Sequence, residues 1–156
     1  MTEIYLKQAK DYFIDGEESF YDDILNMKDS GKLVNIITST DKLIKEKIRW
    51  LKTAQIRKIY ASIKKTKEGS LNELQLLRPK LAYIAARQTE PKARDGANII
   101  GALLNDLIAK VDNVDKLNNL KSFMESAIAY HKYHEKFKQK NNESNRKGKN
   151  NRRNKY

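Results

Sequence analysis

Cysteine is absent from this chain of 156 residues, which excludes disulfides, thiolate zinc sites and cysteine nucleophiles together and fits a reducing compartment. Two prolines and six glycines leave few interruptions. No apolar run approaches the roughly 20 residues of a membrane span, and the first residues, Met1 to Lys10, lack the apolar centre of a secretory signal. These absences predict a soluble, cytoplasmic chain with no membrane partner.

Groups suited to chemistry are equally scarce. His131 and His134 are the only histidines; an i, i+3 pair could supply two zinc ligands, but both lie on or beside an apolar stripe, so half-buried packing is the favoured reading. No arginine stands four to six residues before either histidine, as one class of helical ribonuclease requires. Arg94-Asp95-Gly96-Ala97 has no strand before it and no Lys-Ser/Thr after it, so a phosphate-loop reading fails. The serines have no evident histidine base. We assign no catalytic residue, metal, cofactor or small-molecule substrate.

What is present in quantity is positive charge: 32 Lys and Arg against 20 Asp and Glu, a formal net charge of +12. Such a balance points to a polyanion or an anionic surface as partner. It is unevenly spread. Residues 1–30 hold eight acids and three bases, residues 31–137 hold 21 bases and 11 acids, and residues 138–156 hold eight bases and one acid. The last stretch, rich in Asn, Lys, Arg and Gly, is predicted to be a disordered basic tail. Residues 1–137 are predicted to be a single domain, opening with the acidic segment 1–30; Asp22 and Asp23 there read as a solvated face, without a third metal ligand at fixed spacing.

Apolar residues recur at spacings of three and four, which predicts an all-α, compact bundle of five to six helices. A first short helix spans about Glu18 to Lys28, with Phe20, Tyr21, Ile24 and Leu25 on one side, closed by Gly31. A second runs from Asp41 to Leu51 behind Ser39 or Thr40 as N-cap. Thr53 is expected to cap a third, whose stripe is Ile56, Ile59, Tyr60 and Ile63. Ser70-Leu71-Asn72-Glu73 matches a capping box opening a fourth, kinked at Pro79. Pro91 starts a fifth, and the last, from Asp115 to Phe137, buries Leu117, Leu120, Phe123, Met124, Ala127 and Ile128.

Helical phase sorts the cations. At about 100° per residue, Arg57 and Lys64 flank the apolar stripe of the third helix, while Lys58 and Lys65 fall nearly opposite it. On the fourth helix Lys80, Tyr83 and Arg87 share one face, two cations around an aromatic ring. Lys121, Lys132 and Lys136 lie on the outer side of the last helix.

Three blocks, Thr53-Ala54-Gln55-Ile56-Arg57-Lys58-Ile59-Tyr60, Leu77-Arg78-Pro79-Lys80-Leu81-Ala82-Tyr83-Ile84-Ala85-Ala86-Arg87 and Phe123-Met124-Glu125-Ser126-Ala127-Ile128-Ala129-Tyr130-His131-Lys132, together resemble the small subunit of type III-A CRISPR effector complexes, the Csm family. The resemblance covers about residues 50 to 135. It implies a helical, non-catalytic scaffold that stacks in several copies along an RNA-guided complex, beside a repeated backbone subunit and a large polymerase/nuclease subunit. Its partners would be the CRISPR guide RNA, the target RNA and other copies of itself. RNA cutting would belong to the backbone subunit, and DNA cleavage and cyclic oligoadenylate synthesis to the large one. The resemblance carries Arg57, Lys58, Lys80, Arg87 and Lys132 over as RNA-binding positions; Lys64 is added from helical phase, Arg49 and Lys52 from charge and proximity. Ala86 stands where the family often has Gly, and Gln88 where it usually has Glu, so Arg87 is open to a structural role held by an acid of the bundle. The alternatives are a standalone basic all-α nucleic-acid-binding protein, a small ribonuclease, or a DNA-binding protein using the third and fourth helices as a helix-turn-helix.

Overall fold

Spacings of three and four produce helices in the computed structural model, which describes the backbone of residues 3–13, 19–27 and 30–153 and the side chains of 3–13, 21–27 and 30–135. The order is α1 (Glu3–Lys10), α2 (Ser19–Asn26), α3 (Ser30–Leu43) running into a π-helical turn (Ile44–Ile48), α4 (Thr53–Lys64), a 3-10 turn (Glu68–Ser70), α5 (Leu71–Gln75), α6 (Leu77–Ala86), α7 (Pro91–Ala109) and α8 (Val114–Arg153). No strand occurs among the described residues. The all-α expectation holds; the additional helices are α1 and the division of the fourth helix into α5 and α6.

The centre of the bundle is α7. It is buried almost continuously from Gly96 to Leu104 and again at Leu107 and Ile108, because Ala, Gly, Ile and Leu occupy every side of it and neighbours cover every side. The helices α1 and α6 and the π turn pack on it, while α2, α3 and α4 pack on α8. One core results, with Phe123, Met124, Leu103, Leu104, Ile44 and Ile48 almost inaccessible. Pro91 is the first residue of α7, where its missing N–H costs nothing.

Several helix ends differ from expectation. Gly31 does not close the first amphipathic helix but lies inside α3; the stop comes at Asn26, followed by Met27 in the left-handed region at φ 43°. Tyr21, Ile24 and Leu25 are buried as expected, whereas Glu18, Lys28 and the side chain of Phe20 lie outside the described residues. Ser39 and Thr40 are buried inside α3 and cap nothing: Thr40 Oγ1 donates to the Ile36 carbonyl, 2.7 Å away. A mid-helix hydroxyl satisfied by its own preceding turn escapes the competition that makes such residues favour caps.

Thr53 likewise fails as a cap. It is the first residue of α4, with Lys52 at the N-cap, and its hydroxyl donates to Glu135 of α8. Ser70 Oγ accepts from the backbone N–H of Lys67, three residues upstream, so it serves the 3-10 turn and not the start of α5. Where a kink was expected at Pro79, the helical hydrogen bonding breaks at Leu76, whose backbone stays right-handed helical at φ −68° and ψ −15°; the proline ring excludes the carbonyl of Gln75 one turn earlier and offers it no donor. The last helix opens at Val114 and runs to Arg153; side chains beyond Glu135 are outside the described residues.

Candidate nucleic-acid interface

α4 and α6 lie side by side, and between them opens a groove of about 860 Å³. One wall carries Gln55, Lys58 and Ser62 of α4, the other Lys80, Tyr83 and Arg87 of α6. The segment before α4 adds Trp50 and Lys52, and the start of α7 adds Glu90 and Ala93. Ile59, Leu77 and Ile84 give the floor an apolar character. Four exposed cations, Lys52, Lys58, Lys80 and Arg87, therefore surround one carboxylate, Glu90. The local field is positive and the floor is apolar, a combination suited to a phosphate chain bearing flat apolar rings.

Helix positions explain how these side chains meet. On α6, Lys80, Tyr83 and Arg87 follow at three and four residues and form one ridge. The Arg87 guanidinium carbon lies 5.5 Å from the centre of the Tyr83 ring, and Nη1 donates to the Tyr83 hydroxyl at 3.4 Å. No ion pair holds Arg87 among the described residues, so the reading in which an acid of the bundle fixes it is not the one observed. That structural task falls to Arg78, whose Nε donates to Asn105 Oδ1 at 3.0 Å and ties α6 to α7.

Trp50 stands where two cations converge. The Arg49 guanidinium lies 4.7 Å and the Lys92 ammonium 4.3 Å from its ring centre. Cation–π attraction of this kind is worth about 0.5–1 kcal/mol at exposed sites and here fixes the orientation of the indole. Arg49 lines an adjoining cleft with Lys47, Lys92, Glu46 and Asp95, and its Nε is buried without a hydrogen-bond partner.

The remaining sequence-predicted residues lie elsewhere. Thr53, Arg57, Tyr60 and Lys64 recur at four, three and four residues, and this stripe runs along α8: Thr53 bonds Glu135, and the Tyr60 hydroxyl donates to Glu125 at 2.9 Å. Burial and then Glu125 raise the pKa of Tyr60 above its ordinary value, so the phenol stays protonated and keeps donating. The Lys64 ammonium sits 5.7 Å from the Tyr60 ring. Lys132, exposed, falls on the α8 stripe of Glu125 and Glu135, seven residues from one and three from the other. Arg57, Lys64 and Lys132 thus belong to a surface of mixed charge.

Phase reasoning set Arg57 above Lys58, whereas the groove is lined by Lys58 and not by Arg57. The stripe of α4 has two flanks, and α8 occupies the one beside Arg57. The open groove lies on the other flank, beyond Ile59, and the long side chain of Lys58 reaches over it. Gln55 and Lys92 were not singled out in sequence; the first could have been, since Gln55, Lys58 and Ser62 share one face at spacings of three and four.

The two histidines are packed and hydrogen-bonded. His131 is fully buried, and its Nε2 donates to the Leu51 carbonyl at 2.7 Å, while His134 Nε2 meets Asp41 Oδ1 at 2.6 Å. Among the described residues no three His, Asp or Glu side chains gather as a metal cage, and no helix is long and apolar enough to cross a membrane. Residues 28–137 match the family model described as Csm2 Type III-A, a span that holds the whole groove and leaves out α1, α2 and the basic C-terminal stretch. Comparison with curated proteins and with solved structures found no match.

Proposed function

The chain belongs to the Csm2 Type III-A family, a structural subunit family of type III-A CRISPR complexes, and we propose that within such a complex it is a non-catalytic, RNA-binding scaffold. In this reading several copies stack beside the repeated backbone subunit and the large polymerase/nuclease subunit in the cytoplasm. Each lays its α4–α6 groove against the guide–target RNA. The observation that carries the proposal is the convergence of Lys52, Lys58, Lys80 and Arg87 on one groove within the matched region.

Lysine and arginine contacts to phosphate supply affinity without reading sequence, which suits a subunit that serves any guide. In this reading the groove holds RNA and the chemistry belongs to the partner subunits. The test is assembly of the complex with Lys58→Ala, Lys80→Ala and Arg87→Ala combined. Assembly and thermal stability are expected to persist, because all three residues are exposed, while target-RNA engagement weakens. Unchanged target binding by a correctly assembled triple variant would exclude the groove as the RNA surface.

A further inference from the structure

We propose that the α4–α6 groove accepts an unstacked nucleobase, with Tyr83 as the stacking platform; this rests on the RNA-binding reading above and specifies what part of RNA the groove takes. Phosphates alone call for cations over a polar wall. This groove instead sets its cations around Ile59, Leu77, Ile84 and Ala93, and it displays a large aromatic ring, Tyr83, at 62% exposure. What sets Tyr83 apart from other exposed rings is its place in a groove ringed by cations, and a base matches that setting with flat apolar faces and polar edges.

Of the two aromatic side chains in the groove, Tyr83 is the suitable platform. The Trp50 ring already carries Arg49 and Lys92, whereas Tyr83 has one cation, Arg87, at 5.5 Å. A base stacked on Tyr83 would be joined by the adjacent guanidinium, while Lys58 and Lys80 take the flanking phosphates. Gln55 and Gln88 offer amides to its edge. The Gln88 Nε2 is engaged with the Ile84 carbonyl at 2.9 Å, which leaves Oε1 as the acceptor for a base N–H. Bases in a duplex are paired and stacked, so the occupant is a nucleotide extruded from a duplex or part of a single strand.

Trp50 is the only tryptophan and lines the same groove, so its emission reports occupancy directly. The full chain is titrated with end-labelled oligouridylate and with an abasic ribose–phosphate oligomer of equal length at one low salt concentration, reading anisotropy and Trp50 emission. The expected result is that both bind, that oligouridylate binds about 5- to 100-fold more tightly, and that it alone changes the emission strongly. Tyr83→Leu should bring oligouridylate down to the abasic level, and Tyr83→Phe should restore the difference. Equal affinity of the wild-type chain for the two oligomers, or an unaltered preference in Tyr83→Leu, overturns the base platform. If salt-sensitive binding persists in that case, the RNA-binding reading stands. Failure of both oligomers to bind the full chain and the assembled complex overturns both.

Discussion

Arg57 and Lys58 are neighbours in sequence and opposite in circumstance: one lies along the seam with α8 near Glu125 and Glu135, the other overhangs the groove beside Lys80. If the groove binds RNA, Lys58→Glu weakens RNA binding more than Arg57→Glu does, since only the first puts a carboxylate among the phosphate contacts. Filter binding of the two variants at matched salt checks the order; equal losses would extend the interface to the seam. Tyr12 offers a separate prediction. Burial, followed by its hydrogen bond and charge contact with Glu46, pushes its pKa up to about 12 from the ordinary 10.0. A phenol held protonated in the folded state gives stability that is complete below pH 10 and is lost as pH rises from about 10 towards 12. Alkaline unfolding should therefore be steeper for the wild type than for Tyr12→Phe across that window, measured by denaturant midpoints at each pH.

At the scale of elements, the π turn and α7 meet at a crossing that only glycine allows. A Cβ at Gly96 would lie 2.8 Å from the Lys47 carbonyl oxygen and 3.4 Å from the Ile48 Cα, both backbone atoms that cannot swing away. Gly96→Ala is expected to destabilise by about 1–3 kcal/mol through overpacking, outweighing the gain in helix propensity of about 1 kcal/mol. Chemical denaturation measures it. The same crossing supports Arg49 and Trp50, which directly follow the π turn, so Trp50 emission should also change in the variant. On the other side, His131 of α8 satisfies the carbonyl of Leu51, where the chain passes from the π turn to α4. His131→Leu leaves that buried carbonyl without the donor and should cost about 1–3 kcal/mol, read from a shifted unfolding midpoint.

Across the whole molecule the charge is polar: acidic over residues 1–30 and basic beyond. A groove contributing about four phosphate contacts predicts a slope of log K against log salt of roughly −3, and removal of Lys80 and Arg87 together should flatten it by about 1.5. Affinities measured over a series of salt concentrations decide this; a slope unaffected by the two substitutions would assign the electrostatic term to other cations, the basic C-terminal stretch foremost.

Read from sequence alone, apolar spacing determined that the chain is helical and much of its core, because a helix packed on a core must bury at least one stripe whatever its neighbours are; that α7 is covered on every side, and that Ile128 and Tyr60 are only half-buried, was decided by packing. Ile56, Ile59, Ile63, Leu81, Leu103 and Phe123 are all buried as that rule demands. Pro91 as a helix start and a disturbance of the helix at Pro79 were legible for the same local reason, a missing donor and a fixed ring. Caps were not. Thr40, Thr53 and Ser70 have the right chemistry for helix starts, but their hydroxyls found partners in a preceding turn or on another helix. The division of the cations was equally out of reach. A stripe has two flanks of identical sequence character, and only the packing of α8 against one flank of α4 and α6 against the other decided which became a groove. Tertiary structure alone joined Lys58 to Lys80 and Arg87 and turned Arg57 away, because a cation's surroundings are made by helices distant in sequence.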